Sequence, residues 1–440
     1  MTLPLLPTVR LARLAALGVP LALLGLVSPA GLPIACVWGG GLLVLATIDT
    51  LRTGRPSQLR LGRIVPARAA QGRSFPVRLR LAWNGRGAAR LRLRDTGAPA
   101  LDAPGARLEI AMPPRSRIEV AHEVTPRARG DIALGPVAYR VIGPLGLVER
   151  PGSAGDEVRM RIGPDIWDLS PREAALGLPR GLREGVRRGP RHGEGREFHQ
   201  LRDYTPGDDL RLVDWKAFAR RARPAVRETR AERNQRILLL LDGGRLMTVD
   251  TGGRQRFDWA AQAAGRLARA ALAQGDSVGC AVYGRELRAS VPPARHPGQM
   301  RRIDGILSTL QPEVDESDLG AALRVLLRGS ARRTLVVVFT ELADPRVSES
   351  VRRHLGLIAR RHLGLVVTLS DTALEGVRTA IPDTAVEVWR RVVAEELTQE
   401  MLKTEGSLGA RGCLVVRART DALAAETVDR YLSIKRAGLL

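Results

Sequence analysis

The sequence predicts a multi-domain chain with an N-terminal two-helix transmembrane hairpin, a small β-sandwich and a C-terminal α/β domain. Three observations support this fold class. Two uncharged apolar stretches come first, residues of alternating polarity follow, and short apolar runs then alternate with amphipathic helices. We place these domains at residues 1–56, 57–163 and 236–440, and we assign residues 164–235 to a linker and a charged segment.

The two apolar stretches predict a pair of membrane-spanning helices. No charged residue occurs from Leu14 to Val27 or from Ala30 to Ile48, and Ser28 and Pro29 mark a turn between the stretches. The second stretch of about 19 residues, rising 1.5 Å per residue, is long enough for a hydrocarbon layer of about 30 Å. The first stretch is shorter, and we expect its helix to extend back towards the N-terminus.

Arginines around the hairpin predict its orientation. Arg10 and Arg13 precede the first helix, Arg52 and Arg55 follow the second, and the connection is uncharged. By the positive-inside rule, both ends of the chain are expected in the cytoplasm. The alternative is a signal peptide cleaved before Ala30, which would leave one spanning segment.

Composition restricts the function classes. The net charge of +23 comes from arginine, since lysine occurs only at Lys216, Lys403 and Lys435. A basic surface suits either anionic membrane lipids or nucleic acid, and the predicted anchor favours lipids. The three cysteines are far apart in sequence, which predicts neither a disulfide framework nor a zinc site.

The middle of the chain predicts antiparallel strands. Apolar and polar residues alternate with a period of two, and Gly and Pro interrupt the pattern at regular intervals. Short strands at this spacing are typical of a β-sandwich. The predicted strands cover residues 77–81, 89–93, 107–112, 117–124, 137–142 and 157–162.

A dense charged segment follows from Gly195 to Lys216. Its carboxylates and guanidiniums alternate closely, and Phe198, Tyr204 and Trp215 supply apolar side chains. We interpret it as an ion-paired strap packed on the next domain, with a partner-binding surface as the alternative. The residues that give the segment its character are Glu197, Arg202, Tyr204, Gly207, Asp208, Arg211, Asp214 and Trp215.

The C-terminal half predicts a largely parallel sheet covered by helices on both faces. Continuous apolar runs at 237–241, 277–283, 334–339 and 363–369 alternate with helical patterns at 256–274, 298–310, 319–328 and 347–361. Ligands of such sheets bind beyond the carboxyl ends of the strands. Asp242 follows the first run directly, and Thr340 and Glu341 follow a later one.

These segments resemble the bacterial domain-of-unknown-function family numbered fifty-eight, whose members carry a von Willebrand factor A-like domain. The resemblance rests on the Gly195–Lys216 segment, on Leu241–Met247, on Phe339–Leu342 and on the ending Arg430–Leu439. It implies a von Willebrand factor A-like, Rossmann-like C-terminal domain and a location at the bacterial inner (plasma) membrane.

In von Willebrand factor A domains, an Asp-x-Ser-x-Ser loop with a distant Thr and a distant Asp holds magnesium, and a partner carboxylate completes the coordination. Here both serines of the loop are replaced, by Gly244 and Leu246, while Ser317 and Glu341 take the distant positions. The resemblance therefore implies a degenerate metal-ion-dependent adhesion site. Asp242, Ser317 and Glu341 remain as oxygen ligands, and we expect no cofactor or only weakly bound magnesium.

Arg245 is new in this loop. We hypothesise that Arg245 and loop amides bind a partner carboxylate without a metal, at a site formed by Asp242, Gly244, Arg245, Ser317 and Glu341. The alternative is that Asp242 and Gly244 only shape a turn between strand and helix.

No catalytic motif stands out. Ser277 lies in a Gly-x-Ser-x-Gly pattern, but the pattern follows a helix and opens a strand, the reverse of a nucleophile elbow. We therefore expect a partner-binding adaptor rather than an enzyme. The family resemblance implies a MoxR-type AAA-plus ATPase as partner and an unknown protein client. A nucleic-acid-binding or enzymatic protein at the membrane is the alternative, although no aromatic-interleaved basic motif supports nucleic-acid binding.

Overall fold

A computed structural model describes residues 5–24, 28, 30–95, 99–103, 107–167, 197–204, 213–221, 223–230, 235–328, 332–370 and 372–439. The chain divides into two compact units, residues 1–163 and 164–440.

The N-terminal unit begins with helices α1 (Val9–Ala16), α2 (Gly18–Leu23) and α3 (Gly31–Arg52). Within the described part of the chain, α3 is the one helix long and apolar enough to cross a membrane, with a mean hydropathy of 1.9. The first apolar stretch forms two short helices rather than a single one. Pro20 has no N–H for the carbonyl of Ala16, which favours this interruption. The hairpin that crosses a membrane twice therefore stays a prediction.

The described residues of the N-terminal unit also form twelve short strands. They are β1 (Leu6–Pro7), β2 (Leu59–Ile64), β3 (Arg68–Ala70), β4 (Phe75–Trp83), β5 (Ala89–Arg94), β6 (Leu101–Asp102), β7 (Arg107–Met112), β8 (Arg117–Pro126), β9 (Gly130–Leu134), β10 (Val137–Ile142), β11 (Val148–Ala154) and β12 (Val158–Gly163). Their sheet orders are β1-β11-β10-β5-β7, β2-β4-β8-β6 and β3-β12-β9, and among the described strands of this unit the β12–β3 pair alone is parallel.

The period-two pattern decides which side chains enter the core of this unit. In β4 the side chains alternate between buried and outward positions, with Val77, Leu79 and Leu81 buried. Leu91 and Leu93 of β5 join them in one apolar cluster. Burying each of these side chains contributes about 1.5–3 kcal/mol. The six predicted strands are all present, with ends shifted by at most two residues.

The C-terminal unit contains one six-stranded sheet. Its strands are β15 (Arg236–Asp242), β18 (Ser277–Tyr283), β19 (Leu287–Ala294), β20 (Thr334–Phe339), β21 (Leu363–Leu369) and β22 (Leu414–Ala418), in the order β19-β18-β15-β20-β21-β22. Five strands are parallel, and β19 forms an antiparallel edge that the sequence pattern did not predict. Two small antiparallel pairs are also present: β13 (Glu197–Asp203) with β14 (Ala225–Arg230), and β16 (Asp250–Thr251) with β17 (Arg254–Gln255).

The helices of this unit are α4 (Trp215–Arg221), α5 (Arg256–Ala273), α6 (Gln299–Thr309), α7 (Leu319–Leu326), α8 (Pro345–Ile358), α9 (Thr372–Thr379), α10 (Ala385–Ala410) and α11 (Leu423–Arg436). Helices α5, α6 and α11 pack on one face of the six-stranded sheet, and α7, α8 and the end of α10 pack on the other. Leu239 and Val337 face α5, α6 and α11, whereas Leu240 and Val338 face α7 and α8. Side chains on both faces are buried, which explains why these strands are continuously apolar.

Two residues of the ending Arg430–Leu439, Tyr431 and Lys435, bind a buried carboxylate. Asp276, just before β18, has no exposed surface. It accepts hydrogen bonds from the Tyr431 hydroxyl at 2.6 Å, from Lys435 Nζ at 2.7 Å and from the Gln235 amide at 3.2 Å. Burial and the neighbouring Asp276 carboxylate raise the pKa of Tyr431 well above its usual range. Helix α11 is thereby fixed to the sheet.

The structure describes part of the charged segment, and its packing as a strap stays a prediction. Residues 197–203 form β13, paired with β14, and Trp215 and Lys216 begin helix α4. Trp215 is 64% exposed and packs edge-on against Phe218, so it is not a buried apolar contact. Gly207, Asp208 and Arg211 lie outside the described residues. Gly, Pro and Arg dominate residues 171–195, which predicts a linker with one short helix, and this stretch also lies outside the described residues.

Candidate functional site

The candidate site lies at the carboxyl edge of the six-stranded sheet. Strand β15 ends at Asp242 and β20 ends at Phe339, and the two strands pair with Leu241 opposite Phe339. From β15 the chain crosses to β18 on one side of the sheet and later returns to β20 on the other. A crevice at such a switch point is where open α/β sheets bind ligands.

Asp242 is held by hydrogen bonds to both of its carboxylate oxygens. Oδ2 accepts from the Thr340 hydroxyl at 2.6 Å, and Oδ1 accepts from the Gly244 amide at 2.8 Å. Only 2% of the residue is exposed. Burial raises the pKa of Asp242, while hydrogen bonds from Thr340, Gly244 and Ser317 lower it, and the net shift is upward.

The loop after Asp242 packs closely on residues 315–317. The Arg245 amide donates to the Asp315 carbonyl at 2.9 Å. A Cβ at Gly244 would lie 2.9 Å from that carbonyl oxygen and 3.0 Å from Ser317 Oγ. Only glycine fits without displacing these atoms, so Gly244 brings Asp242 and Ser317 together.

Two arginines and two acidic residues border a small pocket beside Asp242. Arg245 Nη2 lies 2.6 Å from Asp344 Oδ2, and Arg346 Nη1 lies 3.6 Å from Glu316 Oε1. The pocket measures about 150 Å³, and Asp242 and Ser317 also line it. Apolar side chains, among them Leu246, Tyr283 and Val347, complete the lining. The pocket therefore combines paired arginine and carboxylate groups with an apolar wall.

Glu341 does not line this pocket. Its side chain is 3% exposed, and Oε2 lies 3.5 Å from Arg256 Nη1. Oε1 accepts from the Leu342 amide at 2.8 Å and from the Thr368 hydroxyl at 3.3 Å. Burial raises the pKa of Glu341 and the Arg256 guanidinium opposes that rise. The structure thus gives Glu341 a buried contact with helix α5.

The structure brings Asp242, Gly244, Arg245 and Ser317 together, and it adds two pocket residues that sequence reasoning missed, Asp344 and Arg346. Thr340, which the sequence places just after a strand, donates a hydrogen bond to Asp242. Asp344 also caps helix α8, because its side chain accepts a hydrogen bond from the Arg346 amide. Pro345, between the two, is the first residue of the helix. An Asp-Pro pair five residues beyond the end of β20 was the signal available for it.

These groups do not fit a magnesium site. Both oxygens of Asp242 are engaged by donors within the protein, Glu341 faces Arg256, and two guanidiniums border the pocket. Magnesium requires near-octahedral oxygen ligands and is disfavoured by nearby positive charge. Among the described residues, no group of three or more His, Cys, Asp or Glu side chains is arranged to hold a metal.

We therefore expect calorimetric titration of the purified chain with magnesium or manganese to show no micromolar binding. The physical reason is that Asp242 already accepts a hydrogen bond at each oxygen, Glu341 is turned towards Arg256, and the guanidiniums of Arg245 and Arg346 border the pocket. Micromolar binding that is abolished by Asp242→Ala would contradict this assignment.

Asp242 also predicts a pH dependence. Its folded pKa lies above the ordinary value of 3.8, so its contribution to stability is fully present below pH 3.8 and is lost as pH rises through the folded pKa. We expect the free energy of unfolding of the Asp242→Asn variant, relative to the wild type, to rise over that interval and then to level off. Denaturant unfolding of both proteins across a pH series measures this difference in the free energy of unfolding. A difference that does not change with pH would contradict the prediction.

Three solved structures are similar to parts of this chain at low sequence identity. An alpha-2-macroglobulin variant from Salmonella is 12% identical (TM-score 0.20), and native alpha-2-macroglobulin from E. coli is 14% identical (TM-score 0.20). Each match covers 25% of this chain and 7% of the other. The CARDB domain of a Pyrococcus furiosus protein is 9% identical (TM-score 0.16), over 24% of this chain and 94% of that domain. These scores are too low to indicate a shared fold.

Curated relatives come from mycobacteria. Uncharacterized proteins of Mycobacterium bovis and Mycobacterium tuberculosis are 27% identical over 155 residues, which is 35% of this chain. The chain spans about half the length of these relatives, 49%. Residues 200–384 match the family described as "Protein of unknown function DUF58", so the family resemblance seen in the sequence is confirmed over that part of the chain.

Proposed function

We propose that this protein is a membrane-anchored adaptor for protein–protein interaction, whose sheet-edge pocket receives an acidic side chain of its partner. The observation that carries the proposal is the pocket of about 150 Å³ bordered by Arg245 and Arg346. Pockets for small-molecule ligands usually measure about 300–1,000 Å³. A volume below that range suits one side chain rather than a metabolite.

We propose that the partner's carboxylate binds by replacing Asp344 in its ion pair with Arg245. Arg245 is 44% exposed at its side chain and is held by Asp344, which is 17% exposed. An ion pair with this much solvent contact contributes only about 0–1 kcal/mol. A partner carboxylate can therefore replace Asp344 on the guanidinium at small cost, and the surrounding partner surface then excludes water from the new pair.

An exposed apolar helix end supports association with a protein. Val386, Trp389 and Val393 lie three and four residues apart at the start of α10 and are 61%, 72% and 37% exposed. Exposed apolar patches of this kind often mark interaction sites. Residues 372–400 carry six acidic and three basic side chains, which disfavours contact with an anionic membrane.

Helix α3 supports a membrane anchor. Its 22 residues give a length of about 33 Å, and its apolar side chains face outward, with Val37 76% and Leu51 80% exposed. The Trp38 indole donates to the Leu14 carbonyl at 3.1 Å, which favours a hairpin with α1 and α2. We propose that the hairpin spans the bacterial inner membrane and that both termini are cytoplasmic.

The family resemblance suggests the remaining parts of the proposal. It implies that residues 236–440 form a von Willebrand factor A-like domain and that a MoxR-type AAA-plus ATPase is the partner. Five parallel strands with an Asp242 loop at the switch point support the domain assignment. The adaptor then links the ATPase to a client protein at the membrane.

The test is capture of a MoxR-type AAA-plus ATPase from the same cells, measured by quantitative co-purification from a crosslinked membrane fraction. We expect Arg245→Ala to reduce capture about tenfold or more, because truncating one member of an interfacial charge pair costs about 2–5 kcal/mol. Arg301→Ala is the matched control, since Arg301 is exposed on α6 outside the pocket. Equal capture by the two variants, or no capture by the wild type, would contradict the proposal.

A further inference from the structure

The N-terminal unit contains a pocket of about 450 Å³ at one end of its strands. Its walls are mainly apolar, with Met112, Pro114, Ile142 and Pro144 among them, and Arg90 is the charged side chain in its lining. We propose that this pocket binds an anionic phospholipid, with Arg90 on the phosphate and the apolar walls against the glycerol backbone and the first methylene groups.

The position of the pocket next to helix α3 is the first argument. Gly143 lines the pocket and also touches the last turn of α3, where a Cβ at Gly143 would overlap the Asp49 carboxylate. The same loop binds the start of α1, because the Thr8 hydroxyl donates to the Gly146 carbonyl at 2.6 Å. If α3 spans a membrane, as proposed above, the pocket lies at the level of the lipid headgroups.

The environment of Arg90 is the second argument. Arg90 lies opposite Ala111 on β7 and Ile142 on β10, so its strand partners offer no acidic side chain. Two residues further along β5, Arg92 Nε lies 2.7 Å from Glu109 Oε1. Arg90 forms no hydrogen bond or ion pair within the part of the chain that the structure describes. Its charge is therefore available to an external anion.

The charge around the pocket is the third argument. The bordering loops, residues 84–88 and 113–116, contain Arg86 and Arg115 and no acidic residue. The Arg115 amide donates to the Gly85 carbonyl at 3.2 Å, which joins the two loops. Basic side chains next to spanning helices are attracted to anionic headgroups.

The size and character of the pocket decide between ligands. A volume of about 450 Å³ exceeds what a bare phosphate ion fills, and it falls within the range typical of small-ligand sites. Apolar walls beside one guanidinium match an amphiphile with a single negative charge. Phosphatidylglycerol has this chemistry and serves as the probe.

The experiment places the full chain in lipid nanodiscs with equal amounts of phosphatidylcholine and phosphatidylglycerol, and native mass spectrometry counts the lipids retained after transfer to detergent. We expect the wild type to retain phosphatidylglycerol preferentially and Arg90→Ala to retain about fivefold less of it. Arg94→Ala is the matched control and should behave as the wild type. Arg94 is exposed on the same face of β5, about 13 Å further along the strand.

The other outcomes each contradict the proposal. Equal retention by the Arg90 and Arg94 variants, or equal retention of both lipids by the wild type, would show that Arg90 does not select a lipid. Complete displacement by soluble glycerol phosphate would identify a free-phosphate site. Loss of a bound protein without a change in lipid would identify an acidic peptide site. A chain that does not enter nanodiscs overturns the anchor as well, whereas an incorporated chain without Arg90 dependence overturns this inference alone.

Discussion

Replacement of Asp49 by alanine is expected to destabilise the N-terminal unit by about 4 kcal/mol. The fully buried carboxylate accepts hydrogen bonds from the amides of Leu145, Leu147 and Val148 at 2.7, 2.8 and 3.1 Å. Hydrogen bonds to a charged group contribute about 1.5–3 kcal/mol each, and alanine would leave these amides without an acceptor. Calorimetry in detergent should show the melting temperature of this unit lowered by on the order of 10 °C.

Asp102→Ala is the control for that experiment. The Asp102 carboxylate accepts from Arg127 Nη2 at 2.8 Å, but both side chains are about half exposed or more, at 49% and 69%. A surface pair of this kind contributes about 0–1 kcal/mol. Equal effects of the Asp49 and Asp102 replacements would contradict the structural role given to Asp49. Asp49→Asn, which keeps an acceptor, should lie between the wild type and the alanine variant.

Replacement of Asp276 by alanine is expected to destabilise the C-terminal unit by about 3–5 kcal/mol. The reason is that Lys435, only 12% exposed, would keep its charge without its partner, and the Tyr431 hydroxyl would lose its acceptor. Denaturant unfolding measures the change. Asp429→Ala, on the same helix as Lys435 and about half exposed, should cost less than about 1 kcal/mol.

A double-mutant cycle separates the cost of the unpaired Lys435 charge from the other destabilising effects of Asp276→Ala. Lys435→Met removes the ammonium, so adding it to Asp276→Ala should recover part of the lost stability. A double variant as unstable as the sum of the single variants would show that the two groups do not interact energetically.

The N-terminal fold was predictable where the sequence pattern matches a regular period. Val77, Leu79 and Leu81 alternate with arginines, and a half-buried strand is the structure that places all three in one core. The single helix expected from Leu14 to Val27 was harder to predict, because Pro20 interrupts the hydrogen bonds that an apolar composition alone would allow.

The C-terminal unit shows where pattern reasoning stops. Strand β19 contains Pro292 and Pro293, which suppress a strand prediction but are tolerated at a sheet edge. The apolar side chains at the start of α10 have helical spacing, and such spacing is normally taken as evidence of burial. Trp389 is nevertheless 72% exposed, and the buried residues of α10 lie further along the helix, at Ala394, Met401, Thr404 and Leu408. Sequence periodicity does not reveal which turns of a helix pack against other elements.

The candidate site was predictable in part. Asp242 and Thr340 end neighbouring strands, and the carboxyl ends of parallel strands lie at one edge, so their proximity follows from the topology. Glu341 is the next residue after Thr340, and successive residues at a strand end point in opposite directions. Only one of the two can face Asp242. The partner that Glu341 meets instead, Arg256, is 85 positions away, and no local pattern indicates it.

The Asp276 contact has a consequence for the order in which the chain folds during synthesis. Its carboxylate is separated by 155 residues from Tyr431 and by 159 from Lys435. Strand β18 is therefore made long before the helix that closes over it. Until residue 435 leaves the ribosome, Asp276 lacks its contacts with α11 and stays exposed to solvent, as does the sheet face that α11 covers. Long-range contacts of this kind slow folding, so a nascent C-terminal unit should expose its apolar strands to chaperones until its last helix is synthesised.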